Sequence, residues 1–360
     1  MELKKILFIQ YGQFGYLSDY YYYCKYLSND YKITFLCIDE GFKRQNLNHV
    51  QVKYASLRGN KIRKYYQWLK FIAKEIYNKN YDLIFTHCFK LCFVVRVFGG
   101  NRKIILDIRT GSVKQNRIIN FFNNQRIRFE SFFFKNITIL SKGLIKHLGL
   151  KPKNCHWLPL GAEQIPNSDC GYDAINLLYV GTLKQRNIHH TIEGFAKFYE
   201  QYGSEALCCY NIVGFGSEAD EKLLNDRIHD LDLNGIVKFH GRRTHGELVD
   251  FFRNSNVGVS YVPITHYFDF QPPTKTFEYI LSGMVCIATS TYENTNLISE
   301  ANGILCLDNS ISFYEALKEY YFKRHHYNHS SVINSLEDYT WNKIVNTNLK
   351  PYLNTLLSDV

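Results

Sequence analysis

The chain has 360 residues, more than one compact domain usually holds, and its 46% hydrophobic and 21% charged content excludes a disordered or fibrous protein. The net charge of +10 is unevenly divided: residues 1–170 hold 28 Lys/Arg against 11 Asp/Glu, and residues 171–360 hold 15 against 22. Such asymmetry points to two domains with different partners.

The opening MELKKILFIQYGQ is charged and then strand-like, unlike a signal peptide, and no run of 18 apolar residues follows. The ten cysteines form no CxxC pair and sit mostly in strand-like runs, as reduced thiols of a cytosolic protein do. No metal site is expected, since the neighbouring His189 and His190 point apart on a helix.

In chain order, KILFIQY, KITFLCID, LIFTHC, KIILDIR, ITILS and CHWLPL read as strands separated by helices. After a polar break at Pro166 to Tyr172 the alternation resumes with INLLYVG, a helix over Thr191 to Tyr202, CCYNIVG, a helix over Ser217 to Leu233, and IVKFHG. A helix over Glu247 to Asn254, the strand VGVSYVP, the segment Phe268 to Thr289, NGILCL and a helix over Ile311 to Tyr321 complete the series. The last stretch, TWNKIVNTNLKPYLNTLL, predicts a helical tail interrupted by Pro351. This pattern predicts an α/β protein of two Rossmann-like, doubly wound domains facing across a cleft, with ligands at the carboxyl ends of the strands. The expected divisions are 1–165, 172–335 and a tail over 336–360 that packs back on the first domain.

Two basic runs of the first half interleave aromatics with charge. In Arg58 to Lys79, Ile62, Tyr66, Leu69 and Ile72 or Ala73 recur at helical spacing beside Arg63, Lys64, Lys70 and Lys74, with Tyr65 and Trp68 near the boundary. The second run is Asn116 to Asn136. Solvated helices packed on a sheet would give this pattern, as would docking to an anionic membrane face. No nucleic-acid motif accompanies the charge, so nucleic acid is not an expected partner.

Glycines end several strands where a ligand's phosphates would lie: Gly12 and Gly15 after the first, then Gly181, Gly214 with Gly216, and Gly241. The last group is followed by polar or basic loops, so that Lys184, Arg186, Arg242, Arg243 and Lys275 bring cations to one rim of an acidic domain. GFGSEA is not a full GxGxxG, which disfavours a nicotinamide site. In FDFQPPTKTFEYILSGMVCIAT, two prolines precede a helix and Gly283 follows it. The free N–H groups at such a helix start attract phosphate, and Glu278, one turn in, can accept from the vicinal hydroxyls of a ribose. An ordinary βαβ unit with a surface glutamate would read the same in isolation.

Together, YVGTLKQRN, NIVGFGSE, VKFHGRRTHGELVDFF and PPTKTFEYILSGMVCIAT resemble, in order and spacing, the C-terminal domain of family 4 glycosyltransferases, retaining enzymes of the GT-B fold. LPLGAE and ITILSKGL are similar to that family's interdomain segment and the strand before it, whereas the N-terminal half matches loosely. The closest flavour is that of bacterial enzymes building capsule or lipopolysaccharide sugars. The resemblance implies transfer from a nucleotide diphosphate-sugar, UDP-sugar favoured, to a glycan or lipid-linked acceptor, by a cytoplasmic enzyme peripheral to the membrane that needs no metal or other cofactor. It gives Glu278 the donor ribose, Arg186 and Lys184 the diphosphate, and Thr274 and Lys275 the helix terminus facing it. Gly181, Thr182, Gly214, Gly216, Gly12 and Gly15 line the donor, and the backbone after Gly241, with Arg242, meets the base.

Three positions depart from the family's pattern. Phe270 stands where many members carry a glutamate beside the transferred sugar, leaving adjacent Asp269 as the substitute. Thr182 replaces an arginine, and the acceptor-strand histidine has no match; Arg109, two residues after Asp107, lies near there, with His87 on another strand. A sugar-nucleotide epimerase of the same fold and a catalytically silent binding protein remain as alternatives.

Overall fold

The computed structural model describes residues 2–165 and 171–358. The chain divides into two compact units, Met1–Leu160 with Trp341–Val360, and Gly161–Thr340. The polar break expected at Pro166 to Tyr172 falls largely outside the described residues.

The first unit is built on seven strands: β1 (Lys5–Ile9), β2 (Lys32–Ile38), β3 (Val50–Ala55), β4 (Leu83–His87), β5 (Lys103–Ile108), β6 (Asn136–Ile139) and β7 (Cys155–Trp157). Their order is β3-β2-β1-β4-β5-β6-β7, all parallel. The inner strands are apolar on both faces because helices cover both, which leaves β1 with Ile6, Leu7, Phe8 and Ile9 wholly buried. β3, which alternation alone does not reveal, is an edge strand whose residues are mostly half-exposed, so it carries little apolar signal.

The second unit repeats the plan with β8 (Ile175–Thr182), β9 (Cys208–Phe215), β10 (Val237–Phe239), β11 (Val257–Ser260), β12 (Val285–Thr289) and β13 (Gly303–Cys306), in the parallel order β10-β9-β8-β11-β12-β13. Each sheet is therefore doubly wound, with switch points between β1 and β4 and between β8 and β11. Ligands of such sheets bind at the carboxyl ends beside that point.

Two expectations need correction. Helix Lys61–Asn78 buries Trp68, Ile72 and Ile76, whereas Ile62 is 83% exposed and Tyr66 also faces water. The buried face is set by the ring of Trp68, which sits in the core against Tyr11 and Phe89. The tail is not interrupted at Pro351. Trp341–Lys343 passes through a π-helical stretch, Ile344–Leu349, directly into helix Lys350–Ser358. Proline lacks an N–H and crowds the carbonyl four residues back, and the wider π turn just before it absorbs both effects. The tail buries Trp341, Val345, Leu349 and Leu353, with Trp341 stacked on Tyr22.

Candidate active site

In the second unit the candidate residues gather around the start of helix Thr274–Leu281. Pro273 precedes it with backbone in the extended region and provides no side-chain cap, so the first N–H groups are left for solvent or a ligand. The far end closes in a Schellman motif, with Gly283 N–H bonded to Ile280 O at 2.9 Å, Met284 N–H to Tyr279 O at 3.0 Å, and Gly283 at φ 80°.

A buried polar chain fixes the helix start against the sheet. The Thr276 hydroxyl donates to Asn294 Oδ1 (2.9 Å) and accepts from Ser260 at the end of β11 (2.7 Å), while Asn294 Nδ2 donates to Thr289 O (2.8 Å) at the end of β12. On the opposite side the Tyr279 hydroxyl accepts the Val180 N–H of β8 at 2.8 Å. Gly258 makes this approach possible, since a Cβ there would lie 2.2 Å from Tyr279 Cγ. The helix is thus anchored to β8, β11 and β12 at once.

Glu278 and Lys275, three apart on this helix, form an ion pair with both side chains part-exposed. Arg186 follows β8 in a tight loop whose neighbours Gln185 and Asn187 adopt left-handed backbone, at φ 59° and 52°. Its guanidinium lies on the face of Phe268, 4.2 Å from the ring centroid, and among the described residues it has no carboxylate partner. Partial burial lowers its pKa from the usual arginine value. The sequence reading missed Phe268, for which FDFQ offers only an aromatic in a loop.

The other expected residues of this unit lie along the same strand ends. Gly181 and Gly214 are register partners on β8 and β9, so close that a Cβ on Gly214 would fall 1.9 Å from Gly181 O. The Thr182 hydroxyl accepts the exposed Lys184's N–H at 3.3 Å. Gly216 N–H donates to Glu221 (3.2 Å), Gly241 adopts φ 66°, and exposed Arg242 covers the Phe215 ring at 4.9 Å. Asp269 is already engaged: one oxygen accepts the Tyr292 N–H at 2.7 Å, while Phe270 packs on the Tyr292 ring.

Gly12, Gly15 and Arg109 belong to the first unit. Gly15, at φ 88°, ends a loop that Gln13 ties to Glu40 and Phe42. Arg109 directly follows β5 and is only 8% exposed. Its Nε donates to Asp19 (2.6 Å) and its Nη1 to Leu158 O (2.8 Å). Asp107 beneath it accepts from Tyr20 (2.9 Å) and Thr138 (2.7 Å), and burial pushes its carboxyl up to about 6. His87, its register partner on β4, is held down at about 4, first by burial and then by Arg109.

Among the described residues no group of three or more His, Cys, Asp or Glu could hold a metal ion, and nine cysteines are free. No helix among them is long and apolar enough to cross a membrane.

Residues 174–321 match the family model of glycosyl transferases group 1. The match falls wholly within the second unit and contains every candidate residue of that unit. Sequence comparison with curated proteins gives no match. In three dimensions the whole chain is similar to HepE of Anabaena in complex with UDP and glucose (TM-score 0.72, 13% identity, 98% of this chain and 100% of that one). It is also similar to sucrose-phosphate synthase of Thermosynechococcus elongatus (0.71, 14%, 99% and 100%) and to the lipopolysaccharide outer core galactosyltransferase WaaB (0.69, 15%, 99% and 100%). At these identities the likeness is one of fold, and that fold is GT-B, with two Rossmann-like domains.

Proposed function

We propose that the protein is a retaining glycosyltransferase that moves a sugar from a nucleotide diphosphate-sugar, UDP-sugar favoured, to a glycan or lipid-linked acceptor in bacterial surface polysaccharide synthesis. The observation that carries this reading is the uncapped start of helix Thr274–Leu281, anchored at the β8/β11 switch point with Glu278 one turn in, inside the segment that matches glycosyl transferases group 1. Structures of HepE with UDP and UDP-glucose support the choice of UDP.

In this reading Glu278 accepts from the ribose hydroxyls, and Lys275 turns from Glu278 toward the diphosphate. Arg186 and Lys184 add positive charge, and Gly181, Thr182, Gly214, Gly216 and Gly241 with Arg242 line the nucleotide. As the sugar–phosphate bond breaks, charge builds on the departing diphosphate, which the helix terminus and the cations stabilise. The acceptor oxygen bonds to the anomeric carbon on the vacated face, and its proton passes to the leaving phosphate oxygen. These cations do the work a metal would otherwise do, so turnover is expected to survive chelation. Asp269 is assigned the transferred sugar.

Helix Arg117–Ser131 exposes Ile118, Phe121, Phe122 and Phe129 beside Arg117 and Arg128, and we assign this face to an anionic membrane surface, each cation contributing ~1 kcal/mol. Sedimentation with phosphatidylserine vesicles tests it, and unchanged binding by the Arg117→Gln/Arg128→Gln variant overturns it.

A panel of UDP-, GDP- and ADP-sugars, followed by proton NMR of the anomeric centre, tests the reaction. Glu278→Ala should abolish donor binding. Asp269→Asn keeps the acceptor for the Tyr292 N–H while removing the charge, so it should lower turnover with little change in stability. Donor binding without turnover favours a silent binding protein, and epimerisation without acceptor favours an epimerase.

A further inference from the structure

The carboxyl ends of β4 and β5 in the first unit open on a cavity of about 230 Å³ lined by His87, Arg109, Ser112, Lys114, Asn123 and Arg126. Its chemistry is cationic and incompletely bonded. Arg109 uses Nε and Nη1 within the protein, but its Nη2 is buried with no hydrogen-bond partner, although the side chain is more than nine-tenths buried. Arg126 Nη1 is likewise buried and unpartnered. Lys114 and Arg126 make no ion pair among the described residues. Asp19 and, at 3.9 Å, Asp107 both face Arg109, and Asp107 also accepts from Tyr20 and Thr138, so Lys114 and Arg126 carry the charge that is not offset. The wall is rigid: Asn124 Oδ1 accepts the Ser112 N–H (2.8 Å) and Asn123 Nδ2 donates to Ser112 Oγ (3.3 Å), locking the loop after β5 to the helix that bears Arg126.

Buried guanidinium N–H groups left without acceptors are costly, and the complement of two such forks is an oxyanion. We propose that this cavity binds an oxyanion carried by the acceptor, a phosphate or a carboxylate, so that the second substrate is an acidic sugar or a phosphorylated glycan. The assignment to an acceptor rests on the glycosyl-transfer reading, since the donor groups lie in the other unit; the anion site itself does not. His87, held neutral near pH 7, adds a hydrogen-bonding nitrogen without competing for the anion's charge.

Calorimetric titration of the full chain with inorganic phosphate, glucuronate and methyl glucoside, with UDP present to fill the donor site, tests this. Either anion should bind and the neutral sugar should not. Lys114→Gln/Arg126→Gln should weaken anion binding by roughly tenfold or more, while Arg186→Gln should leave it unchanged. Preference for phosphate identifies a phosphorylated acceptor, and preference for glucuronate an acidic sugar. Anions binding no better than methyl glucoside, an unaffected double variant, or a loss confined to Arg186→Gln would overturn the proposal. If the double variant folds poorly, Arg126→Lys keeps the charge and removes the fork, and should still weaken binding. UDP affinity is read separately: its absence removes the donor reading and leaves the anion site standing, whereas anion binding lost with UDP binding intact removes this inference alone.

Discussion

The two units wind their sheets in the same order, yet treat charge at the carboxyl ends of the strands in opposite ways. In the unit of β1–β7, Asp107 and Arg109 are sunk into the core and tied to Asp19, Tyr20 and Thr138. In the unit of β8–β13, Lys275 and Glu278 pair at the surface, and Arg186 rests on an aromatic ring. A buried pair is costly to break and holds a shape. A part-exposed pair contributes little to stability and is free to exchange its partner for a ligand. One topology thus carries a rigid positioning cluster in one unit and an exchangeable one in the other.

Removing Trp341–Val360 should have the largest effect. Trp341, Ile344, Val345, Leu349 and Leu353 are all buried in the first unit, and at ~1.5–3 kcal/mol each their loss rivals the whole stability of a domain. The first unit should unfold, seen by limited proteolysis, while UDP titration of the remainder still reports binding. Asp19→Ala comes next, at about 3–5 kcal/mol in chemical denaturation, because it strands the buried Arg109. Lys275→Ala should cost under ~1 kcal/mol yet weaken UDP binding, and equal stability losses for the two would erase the contrast.

The pH dependence sharpens it further. Asp107, held up at about 6, takes its proton in the native state first, so its contribution to stability falls as pH rises from about 4 to about 6. His87, held down at about 4, is protonated first in the unfolded chain, so its contribution is lost as pH drops from about 6.5 to about 4. Relative to the unaltered chain, His87→Gln should therefore gain stability across that fall, by on the order of 3 kcal/mol, and Asp107→Asn should lose it. Matched urea melts at pH 4 and 7 would read both, and parallel shifts in the two variants would refute the assignment. Gly258→Ala should cost about 1–3 kcal/mol in the second unit, more than Lys275→Ala, as the new methyl meets Tyr279.

The alternation of apolar strands and helices was legible because buried parallel strands are apolar on both faces, as in KILFI and VCIAT. β3 was not, because an edge strand with half-exposed side chains lacks that run. Helix Thr274–Leu281 and Glu278 could be read from local signals, two prolines before and a glycine after. The rest of the site is tertiary. Phe268 beneath Arg186, Asn294 behind Thr276 and Arg126 beside Arg109 meet only once separate segments pack, and no spacing rule encodes those meetings.

The return of the last helix to the first unit also has a consequence for synthesis. Residues 1–160 leave the ribosome long before the segment from Trp341 onward that completes their core, whereas Gly161–Thr340 is already whole by then. The second unit can therefore settle first and the first unit must wait with apolar surface uncovered, an order opposite to the usual N-terminal-first sequence of folding.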